Sequence, residues 1–152
     1  MAEQTKALDK TNRRSNARLA AVQALYQMDI AQTDLTDVLD EFQKHRLGKE
    51  VEGEEMSKAD IAFFRDLLSG IINEQRNLDP VIDTHLAEDW RLNRIDSTLR
   101  AILRAGAYEL ICRKDVPPNV VMSEYVDVAR AFFENDEPKV VNAVLQKVSD
   151  NS

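Results

Sequence analysis

The sequence predicts an all-α protein of about seven helices around one buried central helix. Three observations carry this. Apolar residues recur at three- and four-residue steps along most of the chain, the period of a helix face. Only four glycines and four prolines occur in 152 residues, too few for the tight turns of an all-β design. The third is one stretch from Ile95 to Cys112, I-D-S-T-L-R-A-I-L-R-A-G-A-Y-E-L-I-C, that is apolar around most of its circumference. Ile95, Leu99, Ile102, Leu103, Gly106 and Leu110 make its main stripe. Ala101, Ala105 and Ala107 keep the rest slim, so neighbouring helices can approach closely. A helix this apolar belongs in the middle of a helical domain.

Taken in order, residues 1–12 are polar and are expected to form a disordered tail. Residues 13–150 are then expected to form a single helical domain. The first helix is expected from about Arg14 to Ile30, with Ala21, Val22, Leu25 and Met28 inward. At ~100° per residue, Arg14 and Arg18 fall on the side of Val22 and Leu25. A buried stripe cannot hold two unpaired arginines, so the first turns are expected to project beyond the body. Thr33 to Arg46 is a second amphipathic helix, with Leu35, Val38, Leu39 and Phe42 inward. The charged run L-G-K-E-V-E-G-E-E-M has no apolar period and reads as a surface loop.

A third helix begins at Ser57, where Ser57-x-x-Asp60 resembles a capping box. Ile61, Phe64, Leu67, Leu68, Ile71 and Ile72 give it a wide apolar face. Asp79-Pro80 reads as an N-cap followed by proline at a first helical position. That starts a short fourth helix with Val81, Ile82 and Leu86 inward. Trp90 and Leu92 lie in the connection to the central helix and are expected to cover its start. After Cys112, Pro117 and Pro118 end any helix. Val121, Tyr125, Val128, Ala129 and Phe132 mark the next one. Asp136 and Pro138 introduce the last, with Val141, Val144, Leu145 and Val148 inward.

No apolar run approaches the ~20 residues that span a bilayer, and the first ten residues lack the apolar core of a secretory signal. A single cysteine cannot form an internal disulfide, which fits a reducing, cytoplasmic setting without membrane partners. The formal net charge of −7 by itself disfavours nucleic acid. The charge is uneven, however. Residues 1–26 carry Lys6, Lys10, Arg13, Arg14 and Arg18 against Glu3 and Asp9, while residues 34–60 are strongly acidic. Screening lets a local basic patch bind a polyanion whatever the total.

Catalysis is not expected. His45, His85 and Cys112 lack the spacing of metal ligands, and Cys112 reads as a small buried hydrophobe. The sequence has no P-loop, no dinucleotide-binding glycine motif and no nucleophile elbow. No cofactor or metal is implied. The basic end differs. Arg13, Arg14 and Arg18 suit phosphate oxygens, which guanidinium forks bind with paired donors. Tyr26, two turns on, can offer a ring to an unstacked base, or serve as a core or boundary residue.

These residues also carry a resemblance. Ala21-Val22-Gln23-Ala24-Leu25-Tyr26-Gln27 after an arginine cluster resembles the opening helix of the NusB family of bacterial transcription antitermination factors. The similarity continues through Phe64-Arg65-Asp66-Leu67-Leu68-Ser69-Gly70, Leu103-Arg104 and Tyr108-Glu109-Leu110. It then takes in Val116-Pro117, Glu124 with Ala129-Arg130, and Lys139-Val140-Val141-Asn142-Ala143-Val144-Leu145. Each block alone is weakly specific; all in order, from about Arg13 to Val148, are highly specific. Methyltransferases with a NusB-like domain continue into a catalytic domain, so a chain ending at Ser152 is expected to match the free-standing factor.

The resemblance implies an all-helical fold of two small subdomains, roughly 13–77 and 78–150, the second containing the central helix, and an RNA-binding role without catalysis. NusB-like proteins pair with NusE, a small-subunit ribosomal protein. The pair binds the boxA element of nascent RNA and, with other Nus factors, helps RNA polymerase pass terminators, notably in ribosomal RNA operons. By position, Arg13, Arg14 and Arg18 correspond to the family's RNA-contacting arginines, and Tyr26 to a tyrosine on the same helix. Asp136, Lys139 and Val140 correspond to the start of the last helix, near the RNA, and Asp96 to an acidic position on the NusE side. Val140 stands where several relatives have phenylalanine, and Ser123 and Tyr125 replace the Asn and Ala of an I-N-E-A pattern. The alternatives are a helical protein-binding adaptor without direct RNA contact, to which the acidic balance points, and an accessory domain of an RNA-modifying enzyme.

Overall fold

The computed structural model describes the backbone of residues 2–42, 44 and 58–152, and the side chains of 13–42, 44 and 60–152. Among them are six α-helices and no strand. In order these are α1 (Ala2–Ala31), α2 (Leu35–Phe42), α3 (Lys58–Thr84), α4 (Ser97–Cys112), α5 (Pro118–Phe132) and α6 (Glu137–Asp150). A 3-10 turn at Glu88–Trp90 precedes α4. The expected charged loop at 47–56, the Ser57 cap, His45 and Arg46 lie outside the described residues. Two compact units are distinguished, Met1–Ser69 and Gly70–Ser152. This division and the one expected near residue 77 both fall inside α3.

In the first unit, α1 buries Ala17, Ala20, Ala21, Val22, Ala24 and Leu25. α2 turns Val38, Leu39 and Phe42 inward, as its period predicts. Phe42 stacks on Phe64 with ring centroids 5.7 Å apart and planes at 20°, an offset aromatic pair of the favourable kind. One expectation is corrected: α1 begins at Ala2 rather than near Arg14, and residues 2–12 belong to it. That segment has no glycine or proline and is rich in Ala, Glu, Gln, Lys and Leu. Once packing holds the middle of a helix, such residues extend it by one hydrogen bond each. The helix stops at Ala31, where Gln32 adopts the left-handed conformation at φ 57°. Its N–H donates to the Met28 carbonyl at 3.0 Å, the capping geometry that glycine usually supplies.

In the second unit, α4 is the post that the sequence predicts, with ten of its sixteen residues buried. α6 lays Val141, Val144, Leu145 and Val148 into the core. The contact with α4 is close: a Cβ on Gly106 would come within 2.7 Å of Leu145 Cδ1. The Tyr108 ring occupies the space where a Cβ on Gly70 would stand. α5 buries Val121, Tyr125, Val128 and Ala129, while Phe132, expected inward, is 43% exposed at the helix end. Glu109 is fully buried and accepts a hydrogen bond from the Tyr125 hydroxyl, also fully buried. Glu109 therefore lies in the core and not at its edge.

The expected third and fourth helices are one. α3 runs through Asp79 and Pro80 to Thr84. Proline deprives the Arg76 carbonyl of its i→i−4 donor, but Arg76 and Pro80 are both exposed, so water can reach that carbonyl. Asp79 does not cap a helix. It takes two 2.8 Å hydrogen bonds from Arg104, from Nε to Oδ1 and from Nη2 to Oδ2. Ile82 and Leu86 are buried as expected, but Val81 is 36% exposed.

Candidate functional site

The basic residues of α1 separate into two environments. Arg18 is only 1% exposed, which overturns the expectation that it projects from the body. Its guanidinium carbon lies 5.1 Å from the centroid of the Phe63 ring on α3. A buried arginine is tolerable when it is not left alone, and an aromatic face supplies part of its company. Arg14 lies over the same ring at 4.8 Å and is only half-buried. Arg13 is also half-buried, and its Nε is an occluded donor with no hydrogen-bond partner. Tyr26 is 43% exposed, and Ile30, one turn further, is 60% exposed. Tyr26 is thus a surface ring, not a core residue. Gln27 Nε2 donates to Glu41 Oε2 at 2.9 Å and ties α1 to α2 beside it.

The second set lies at the start of α6. Asp136 precedes the helix and is exposed, and its side chain makes no cap hydrogen bond. Lys139 is exposed and Val140 half-buried. Glu137, which sequence reasoning passed over, has an occluded Oε2 with no hydrogen-bond partner. The arginines and Tyr26 belong to the first unit; Asp136, Lys139, Val140 and Asp96 belong to the second.

Asp96 has a structural task of its own. Its carboxylate caps α4, accepting from the Thr98 N–H at 2.7 Å and the Leu99 N–H at 3.4 Å. One oxygen, Oδ1, takes both bonds, so the exposed side chain retains acceptor capacity for a partner. The connection before it is pinned from several sides. Asp83 Oδ1 accepts from the Leu92 N–H at 3.1 Å. Arg100 Nε donates to the Leu92 carbonyl at 2.9 Å and its Nη2 to the Ile95 carbonyl at 3.1 Å. Leu92 is buried, as expected of a residue covering the start of α4, and Trp90 is half-buried. A polar cleft of about 1040 Å³ borders this connection, with Asp79, Asp83, Arg91, Arg100 and Arg104 among its lining residues. Much of its charge is already engaged: Arg104 pairs with Asp79, and Arg91 approaches Asp83 at 3.8 Å.

Cys112, expected to be buried, is exposed. It is the last residue of α4, where the helix runs out of the packed bundle. Among the described residues no group of three or more His, Cys, Asp or Glu is placed to hold a metal ion. No helix among them is long and apolar enough to cross a membrane.

The fold and these surfaces define a class: an all-helical protein of two compact units, with cationic groups along α1 and charged groups at the starts of α4 and α6. Comparison with known proteins makes this specific. The model of the NusB family matches residues 15–150. The chain is 61% identical over 140 residues to the transcription antitermination protein NusB of Bradyrhizobium sp. (strain ORS 278), spanning 92% of this chain and 83% of that one. It is 55% identical over 142 residues to the NusB of Sinorhizobium fredii, spanning 93% and 89%. Among solved structures, NusB of T. maritima superposes with a TM-score of 0.77 at 28% identity, covering 90% of each chain. A NusB solved with NusE and double-stranded RNA shares the fold, with a TM-score of 0.77 at 23% identity, covering 93% of this chain and 98% of that one. The chain belongs to the NusB family of transcription antitermination proteins.

Proposed function

We propose that this protein pairs with NusE and binds boxA RNA in nascent ribosomal RNA transcripts, acting in the cytoplasm with other Nus factors on RNA polymerase and performing no catalysis. The observation that carries the reading is the family match across residues 15–150. It is supported by a protein of the same fold solved with NusE and double-stranded RNA. Arg13 and Arg14, both partly exposed on α1, are the phosphate contacts, and Tyr26 offers its exposed ring to a base. In the second unit, Asp136, Lys139 and Val140 at the start of α6 are further RNA contacts. Val140 is half-buried and aliphatic, so it contributes contact and not stacking. Arg18, enclosed beside Phe63, supports the surface from within. Asp96 faces NusE with the carboxylate oxygen that its cap leaves over.

A second reading, an adaptor that binds NusE but not RNA, is favoured by one observation: the burial of Arg18 thins the cationic cluster. A titration of fluorescent boxA RNA, with and without NusE, separates the two. The proposed function predicts saturable binding that NusE strengthens. Binding of NusE with no RNA affinity for the protein or the pair selects the adaptor.

A further inference from the structure

The Phe63 ring is 3% exposed, yet two guanidiniums of α1 lie over it, Arg14 at 4.8 Å and Arg18 at 5.1 Å. All three residues belong to the first unit. No carboxylate pairs with Arg14 among the described residues. We propose that Phe63 is a positioning residue for RNA binding: it holds the Arg14 guanidinium in place while leaving its N–H donors free for a phosphate.

The argument is chemical. A carboxylate partner would fix Arg14 but would occupy the same fork of donors that a phosphate needs. An aromatic face attracts the cation through its quadrupole and consumes none of those donors. Arginine has many rotamers, and ordering them on binding weakens affinity; a side chain already held avoids part of that cost. Arg18 is enclosed on the same ring and is itself held in place there. Phe63 itself is too deeply buried to touch RNA, so any effect it has on RNA must pass through the arginines.

This inference rests on Arg14 contacting RNA, and the experiment separates the two claims. Binding of boxA RNA by the complex with NusE is titrated over a salt series for Arg14→Ala, Phe63→Leu, Phe63→Tyr and the double variant Arg14→Ala/Phe63→Leu. Thermal midpoint and NusE affinity are measured alongside. Phe63→Leu is expected to weaken RNA binding by about 3- to 10-fold. It should also flatten the salt slope by roughly one phosphate contact, as Arg14→Ala does. Phe63→Tyr should restore both, and the double variant should be no weaker than Arg14→Ala. If Arg14→Ala weakens binding and Phe63→Leu does not, the positioning role is overturned. If Arg14→Ala changes nothing, the RNA contact itself fails and the inference falls with it. A second measurement needs no variant to fold: in the free protein, the Arg14 side-chain proton resonances should be displaced upfield by the Phe63 ring current. Shifts at ordinary solvent-exposed values would overturn the proposal.

Discussion

Tyr125→Phe removes one oxygen atom from the middle of the second unit and tests how that core is specified. The Tyr125 hydroxyl donates to Glu109 Oε2, and both side chains are 0% exposed. The substitution leaves the ring and its packing intact but takes a donor away from a carboxyl group that water does not reach. Leaving a buried polar group short of a partner costs about 1–3 kcal/mol. For a chain of this length, each kcal/mol moves the midpoint by roughly 2–4 °C. Tyr125→Phe should therefore lower the thermal midpoint by roughly 2–12 °C. Denaturant unfolding of Tyr125→Phe, Glu109→Gln and the double variant closes the cycle. The two single effects should fail to add by about 0.5–3 kcal/mol, the range for residues in direct contact. A Tyr125→Phe protein within about 0.5 kcal/mol of the parent, with additive effects, would refute the reasoning.

Two further perturbations follow from the geometry. Gly70→Ala should be destabilising despite alanine's better helix propensity of about 1 kcal/mol, because its methyl would claim the space of the Tyr108 ring; chemical denaturation should show a net loss, and a more stable variant would contradict the contact. Asp96→Ala should cost about 0.5–2 kcal/mol of stability through the lost cap on α4, whereas Asp96→Asn should keep most of that stability and lose NusE affinity if the charge serves the partner.

Much of this was readable from the sequence because it depends on local periodicity. The stripes of α4 and α6 followed from spacing alone, as did the inward face of α2. The misreadings at Asp79 and Arg18 share one cause: a tertiary partner changed the meaning of a local signal. Asp79-Pro80 has the chemistry of a helix start, but Arg104 recruits the aspartate and an exposed carbonyl tolerates the proline. Arg18 looked incompatible with burial because the ring that receives it, Phe63, comes from a different helix. The Glu109–Tyr125 bond is equally silent in sequence; the only hint was that Tyr125 stands where a common family pattern has alanine. The candidate site was legible as residue types along α1 and at the start of α6. Their division into one enclosed and two partly exposed arginines required coordinates.

The central claim is that Arg13 and Arg14 meet RNA phosphates. Its most direct test is the slope of log affinity against log salt for boxA RNA and the NusE complex, for the parent and for Arg13→Ala/Arg14→Ala. Each single-strand phosphate contact contributes a slope of about −0.7, so the double variant should bind more weakly with a slope shallower by roughly 1.4. An unchanged slope and an unchanged affinity, with NusE still bound, would contradict the claim.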